Sequence, residues 1–448
     1  MPEKNPARPA SFSELSQLLM SLDNLLVSCM RCGLCQAVCP VYGSTFREAD
    51  VTRGKISLLE NLAHETIKDA KSVNERLNRC LLCGSCQANC PSGVNVMEIF
   101  IKARSFVAAY LGLSFVKKLI FRRLLTHPRL FNLATNLSGF FQKPFLKRVN
   151  ATVGSYRAPL LTPFLGNRHV PSFPGHSFTG RRGALNKPAG QSKLKVALFP
   201  GCVPDKLFDR LSEATLKILD FHGVGVFTPN DLVCCGIPAL ASGDSQGFLG
   251  LTGQNLTSLS RSSFDYLVTP CATCAANIKE NWPRFMDRYL DWEKKLVVGL
   301  SPKTMDITQF LVSILKVDFT PATTKAGAQV VTYHDSCHLK KSLGVSAQPR
   351  AIIKSLPDYR LVEMPEADRC CGHGGSFNLF HYDLSREIGQ RKRANIVSVK
   401  PSLVATGCPA CMTQLMDMLS QNNDQIAVKH VVELYADSLG AAATRRAS

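Results

Sequence analysis

Residues 369–375 read RCCGHGG and residues 233–237 read VCCGI, so one chain carries a doubled cysteine followed by glycine twice. Adjacent cysteines rarely bridge each other, because a disulfide wants Cα atoms ~5.5 Å apart with converging Cβ vectors. A catalytic thiol needs only one cysteine. Each doublet is instead the middle of a longer repeat. The first repeat runs Cys202, then Cys234-Cys235-Gly236, then Cys271 and Cys274. The second runs Cys337, then Cys370-Cys371-Gly372, then Cys408 and Cys411. The gaps agree within one residue: Cys234 follows Cys202 by 32 and Cys370 follows Cys337 by 33, while Cys271 follows Cys235 by 36 and Cys408 follows Cys371 by 37.

The surroundings repeat with the cysteines. Each first cysteine follows a strand-like run (KVALFPGC, QVVTYHDSC), each doublet another (VGVFTPNDLVCC, RLVEMPEADRCC), and each final pair a third (DYLVTPCATC, SLVATGCPAC). Short apolar strands alternating with helical segments predict parallel βαβ units. In such sheets ligands gather at the carboxyl ends of the strands, which is where all three cysteine groups fall. Five thiolates exceed the four of a tetrahedral zinc or an ordinary cubane. They suit an opened iron–sulfur cluster in which one thiolate bridges two irons. Four cysteines holding zinc or a cubane, with one spare, is the other arrangement the count allows.

The N-terminal part carries a different cysteine grammar. CMRCGLCQAVCP (29–40) and CLLCGSCQANCP (80–91) both obey C-x₂-C-x₂-C-x₃-C-P, the spacing of two-cluster bacterial ferredoxins, in which the fourth cysteine of each run serves the other cluster. The expected ligands are Cys29, Cys32, Cys35 and Cys90 for one [4Fe–4S] cluster, and Cys39, Cys80, Cys83 and Cys86 for the other. Structural zinc sites use separated pairs instead. The insert between the runs reads as mainly helical.

All 18 cysteines are thereby placed, in a chain of 448 residues with a formal net charge of +19. No secretory signal is visible in MPEKNPARPASFSEL, so the expectation is a cytoplasmic, reducing setting where clustered cysteines bind metal rather than pair. No run is apolar enough for a transmembrane helix. Nucleic acid is not expected as a partner, since the basic residues are not interleaved with an aromatic stacking platform. Residues 101–150 show a basic amphipathic helical pattern (Lys117, Lys118, Arg122, Arg123, Arg129, Lys143, Lys147, Arg148). That pattern fits a packed helix pair with a solvated charged face, or a surface that lies on anionic lipid or an acidic subunit. Residues 151–190, rich in Pro, Gly, Ser and Arg, read as an extended linker. The expected organisation is a ferredoxin domain (1–100), a basic connector and linker (101–190), and cysteine-rich units over 191–320 and 321–448. The fold class is multidomain α+β/α/β: an α-helical two-[4Fe–4S] ferredoxin domain followed by two tandem α/β CCG units.

This succession of motifs resembles the iron–sulfur subunits of glycolate oxidase and the lactate-utilisation proteins. The architecture is shared with iron–sulfur chains of heterodisulfide reductase and of anaerobic glycerol-3-phosphate dehydrogenase. The resemblance spans roughly residues 20–435. It implies that Cys202, Cys234, Cys235, Cys271 and Cys274 hold one further cluster and Cys337, Cys370, Cys371, Cys408 and Cys411 another, of the non-cubane [4Fe–4S] kind found in heterodisulfide reductases. It also implies electrons received from a separate FAD-containing hydroxy-acid dehydrogenase subunit and passed toward quinone. The alternative role it implies is reduction of a disulfide or thiol substrate at a CCG cluster. No flavin is expected on this chain, because no G-x-G-x-x-G fingerprint follows an early strand.

Three histidines lie near the second repeat's ligands: His334 and His338 flank Cys337, and His373 follows the doublet. They are candidates either for hydrogen bonds to cluster sulfurs or for proton donation to a bound acceptor. Asp335 and Lys340 are candidates to join them.

Overall fold

A computed structural model describes residue 9, residues 11–159, residue 162 and residues 166–447 of the chain, the side chains of 134, 138–141, 143–144 and 441–447 excepted. The side chain of Lys143 in the basic connector therefore lies outside what is described. Two compact units divide the chain: Met1–Thr126 with Gly236–Leu251 and Gly372–Ile388, and His127–Cys235 with Thr252–Cys371 and Gly389–Ser448.

The first unit is helical. Ser11 and Asp69 accept backbone N–H groups at the starts of Phe12–Met20 and Ala70–Asn78, satisfying donors that a helix leaves orphaned. These helices, with Thr52–Ala63 and Val96–Leu111, bury one another's apolar faces: Leu15, Leu19, Ile56, Leu59, Leu62, Val73, Leu77, Ile99 and Phe100 are shielded from water. The insert between the two cysteine runs is thus helical, as its sequence predicts. The runs themselves repeat one backbone path. In each, the second residue after the first cysteine (Arg31, Leu82) and the glycine after the second cysteine (Gly33, Gly84) adopt positive φ. A single helical turn (Cys35–Val38, Ser85–Ala88) then leads to the last cysteine.

The segments that follow both CCG doublets are counted with this unit. The buried guanidinium of Arg104 ties one of them down by donating to the carbonyls of Ala241 (2.6 Å), Cys80 (2.7 Å) and Leu77. Arg122 clasps the buried carboxylate of Asp244, Nη2 to Oδ1 at 2.7 Å and Nε to Oδ2 at 3.0 Å. The connector begins here as Val96–Leu111, Phe115–Leu119 and a wide turn of helix, Ile120–Leu124. No single described helix is long and apolar enough to cross a membrane.

The second unit holds both repeats. The strands β5 (Lys195–Leu198), β6 (Gly225–Thr228), β7 (Tyr266–Thr269) and β8 (Thr304–Asp306) form a parallel sheet in the order β6-β5-β7-β8. The strands β9 (Gln329–His334), β10 (Tyr359–Leu361), β11 (Leu403–Thr406) and β12 (Ala427–His430) repeat it as β10-β9-β11-β12, again all parallel. Strands such as β6 and β11 are buried at every residue, as expected where helices cover both faces of a parallel sheet. The helix after the first strand of each repeat packs on the helix after the last strand of the other. Asp209–Phe221 lies on Val431–Ala447, and Ala347–Lys354 on Ile307–Gln309. This near-symmetric exchange makes one core of the two repeats.

The linker reading of 151–190 is corrected. The short strands β1 (Lys147–Asn150), β2 (Ser155–Arg157) and β3 (His169–Pro171) form an antiparallel sheet. That sheet is pinned to the helix Pro409–Gln421, where His169 N donates to Asp417 Oδ1 at 2.8 Å. The strand β4 (Leu185–Lys187) adds an antiparallel edge to β6. Strands of three residues carry too little alternation to stand out from a Pro/Gly-rich background.

Candidate iron–sulfur sites

In the first unit two hollows open beside the cysteine runs. One is lined by Cys29, Cys32, Cys35 and Cys90, with Cys86 on its wall. The other is lined by Cys39, Cys80, Cys83 and Cys86. The last cysteine of each run thus stands with the first three of the other. Backbone N–H groups point at sulfur there: Tyr42 N at Cys39 Sγ and Leu82 N at Cys80 Sγ, both 3.4 Å. Burial pushes the Cys39 thiol up to about 12 and raises Cys86 further. Burial so opposes the ionised form of Cys39 and Cys86 that a shared cation is what would favour their thiolates, and four sulfurs gathered round one hollow fit a metal cluster. Lys55, buried with its Nζ on the Asp50 carbonyl, adds positive charge beside Cys39 and Cys80.

The second unit gathers nine of the ten thiols of the two repeats into one line. Cys202 Sγ lies 3.7 Å from Cys234 Sγ, and Cys234 touches Cys235. From Cys235 the contacts run to Cys274 and Cys271. Cys271 meets Cys408 of the second repeat, and the line continues through Cys411 to Cys371 and Cys370. Cys337, the tenth cysteine, is also buried. So many thiols in contact cannot all ionise. Hydrogen bonds, from Cys370 first for Cys371 and from Cys271 first for Cys408, push these two well below the usual thiol range. Their neighbours are held above it; hydrogen bonding to Cys202 leads for Cys234 and hydrogen bonding to Cys371 leads for Cys411.

His334 and His338 have different surroundings. His334, at the end of β9, is fully buried, and one of its ring nitrogens lies with Cys371 Sγ and Cys411 Sγ in a group within 4.8 Å of one another. His338 Nδ1 instead meets Thr273 Oγ1 at 3.1 Å, and that hydroxyl meets Cys408 Sγ at 3.4 Å, so His338 bridges the two repeats. His373 is counted with the first compact unit. Asp335 is consumed structurally: Arg350 takes both its oxygens at 2.8 and 2.9 Å, and Ser346 donates to Oδ1. Lys340 pairs with Asp368 at 3.0 Å.

Sequence reasoning misses three groups beside the thiols. Lys392 is buried with its Nζ on the carbonyls of Glu366 and Ala367. Burial pushes it down to about 8, opposed by Cys371, Cys337 and Cys370. Asp306 and His430 occupy matching ends of β8 and β12. Burial pushes the first up to about 7 and the second down to about 4, and both feel Cys408. None lies within a cysteine motif, and no local pattern marks them.

The fold and these thiol arrays define an iron–sulfur electron-transfer protein. Residues 26–94 match the 4Fe-4S dicluster domain, and residues 196–279 and 331–416 each match the CCG cysteine-rich domain. The "Probable glycolate oxidase iron-sulfur subunit" of Bacillus subtilis (strain 168) is 29% identical over 426 residues, 93% of this chain and 94% of that protein. The "Glycolate oxidase iron-sulfur subunit" of Escherichia coli (strain K12) is 24% identical over 423 residues, 94% and 96% of the two chains. The "Lactate utilization protein A" of Oceanobacillus iheyensis is 32% identical over 241 residues, 54% of this chain and 96% of that protein. The chain belongs to the CCG iron–sulfur family that contains these glycolate oxidase and lactate utilization proteins.

Proposed function

We propose that this chain is the electron-transfer subunit of an FAD-dependent 2-hydroxy-acid dehydrogenase acting on glycolate or lactate, and that it passes electrons from a separate flavin subunit toward quinone. The observation that carries the reading is the thiol arrangement. Two four-cysteine hollows lie in one unit and an unbroken line of cysteines in the other. Iron–sulfur groups supply stepwise one-electron carriage, which a two-electron flavin oxidation needs. In this reading Cys29, Cys32, Cys35 and Cys90 hold one [4Fe–4S] cluster and Cys39, Cys80, Cys83 and Cys86 a second. Each five-cysteine repeat holds a further, non-cubane cluster. The hydride chemistry belongs to the flavin subunit, and this chain's own residues insulate and position the carriers.

The basic connector is read as a peripheral surface for the anionic cytoplasmic leaflet. Phe115, Val116 and Leu119 are exposed on one stretch of it, beside exposed Lys118 and Arg123. Leu130, Leu133 and Leu137 are exposed at helical spacing on another, Pro128–Phe145. Apolar side chains framed by cations are the composition of an interfacial helix.

The test is co-expression with an FAD-containing 2-hydroxy-acid dehydrogenase subunit, with iron and sulfide analysis and quinone reduction driven by glycolate or lactate. Sixteen irons per chain, at four per cluster, and hydroxy-acid-dependent turnover that needs both chains are expected. Fewer than about eight irons, or disulfide reduction by the isolated chain with no hydroxy-acid-dependent activity, would overturn it.

A further inference from the structure

His334 ends β9, in register with Thr406 of β11, and its ring is 0% exposed. Among the described residues neither ring nitrogen has a hydrogen-bond partner of ordinary geometry, and the partner the ring does have is the Cys371 thiol. Buried imidazole nitrogens are rarely served by sulfur alone. One ring nitrogen lies with the sulfurs of Cys371 and Cys411 in a compact group of three ligand atoms. An imidazole nitrogen and thiolates are borderline and soft donors that iron accepts together.

The first repeat supplies an internal comparison. Three residues before its leading cysteine, Cys202, stands Phe199, as His334 stands three before Cys337. Phe199 is also 0% exposed and also runs alongside the third strand of its repeat, its N–H donating to Val268 O at 2.9 Å. The same buried ring position is therefore filled by an aromatic of similar size. Only the second repeat's ring carries donor atoms. Packing alone accounts for Phe199, whereas His334 also brings a nitrogen to the Cys371 and Cys411 thiols.

We propose that His334 is a nitrogen ligand of the iron–sulfur group held by the second repeat, so that the two repeats carry chemically different centres. The first is ligated by cysteine alone, the second by cysteine and histidine. This rests on the reading that each repeat binds a cluster. A neutral imidazole brings less negative charge to iron than a thiolate, and histidine ligation raises the potential of iron–sulfur centres. The buried ammonium of Lys392 beside Cys371, Cys337 and Cys370 acts in the same direction. The second repeat is then the electron sink of the pair, and electrons move toward it through the contact of Cys271 with Cys408.

The experiment is pulsed EPR on holoprotein grown with ¹⁴N- or ¹⁵N-histidine, in the oxidation state where the second-repeat centre is paramagnetic, beside His334→Phe and His334→Gln. A strong histidine-nitrogen hyperfine coupling is expected that changes with the isotope and is lost in both variants, while iron content stays within one cluster of wild type. The midpoint potential of that centre falls in His334→Phe. Iron present with only weak nitrogen couplings, of hydrogen-bond strength, overturns the ligation and leaves the cluster assignment standing. If Cys371→Ser with Cys411→Ser removes no iron and no EPR signal, the cluster reading of the second repeat fails as well. Far-UV circular dichroism separates either result from misfolding.

Discussion

At the residue scale the two doublets depend on the glycine that follows them. Gly236 and Gly372 hold φ of +97° and +94°. A Cβ on Gly372 would sit 2.6 Å from the Ser385 carbonyl oxygen, and one on Gly236 would sit 2.7 Å from the Phe248 ring. Gly372→Ala is therefore expected to lower both thermal stability and iron content. Gly250→Ala, in the exposed middle of the helix Ser245–Leu259 with nothing near its Cβ, is expected to stabilise by about 0.5–1 kcal/mol. Calorimetry with iron analysis checks both. His222 offers a pH test away from the thiols. Its Nε2 meets Tyr435 Oη at 2.9 Å, and burial holds the imidazole below its ordinary value. The unfolded chain then takes up a proton first as pH falls. Stability from this residue is present above ~6.5 and is lost below it. Wild type is expected to lose more Tm between pH 7 and 5.5 than His222→Asn; equal losses would refute the assignment. The five-plus-five count of cysteines was legible in the spacing. The contact of Cys271 with Cys408, 137 residues apart, was not, because no local pattern encodes which strand ends face each other.

At the element scale the parallel sheets follow from strand runs that recur before each cysteine group. The turn after β9 is locked by Arg350, which grips the buried Asp335 with two nitrogens, reaches Glu363 at 2.6 Å and lies over the Tyr333 ring. Removing one partner strands the other charge away from water. Arg350→Met is expected to cost about 3–5 kcal/mol in urea unfolding. Arg386→Ala, which breaks an exposed 4.0 Å pair with Asp383, should cost less than about 1 kcal/mol. Sequence alone placed Asp335 beside the chemistry because it adjoins Cys337. The structure gives it to a salt bridge, because the helix Ala347–Lys354 brings Arg350 over it. Likewise 151–190 read as linker, since β2 and β3 are only three residues each and β4 finds its partner, β6, about 40 residues further on.

For the whole molecule, charge is the property to test. Between Glu98 and Asp205 there is no acidic residue, against 17 Lys and Arg, so this stretch carries most of the net +19. The holoprotein is expected to sediment with anionic vesicles at low salt and to be released at 1 M salt, where the Debye length is ~3 Å. Equal binding to neutral vesicles, or none to anionic ones, would leave the connector as a solvated face. The sequence by itself determined the kind of protein: cysteine spacing is covalent and local, and a cluster tolerates only a few spacings. It also determined the pairing of repeats, since equal gaps between equal motifs survive in one dimension. Only the tertiary structure decided which ring faces the second repeat's thiols, why Lys392 belongs beside them, and that the two repeats meet sulfur to sulfur. Those are contacts between strand ends and helices far apart in the chain, set by how two sheets exchange helices to bury one core.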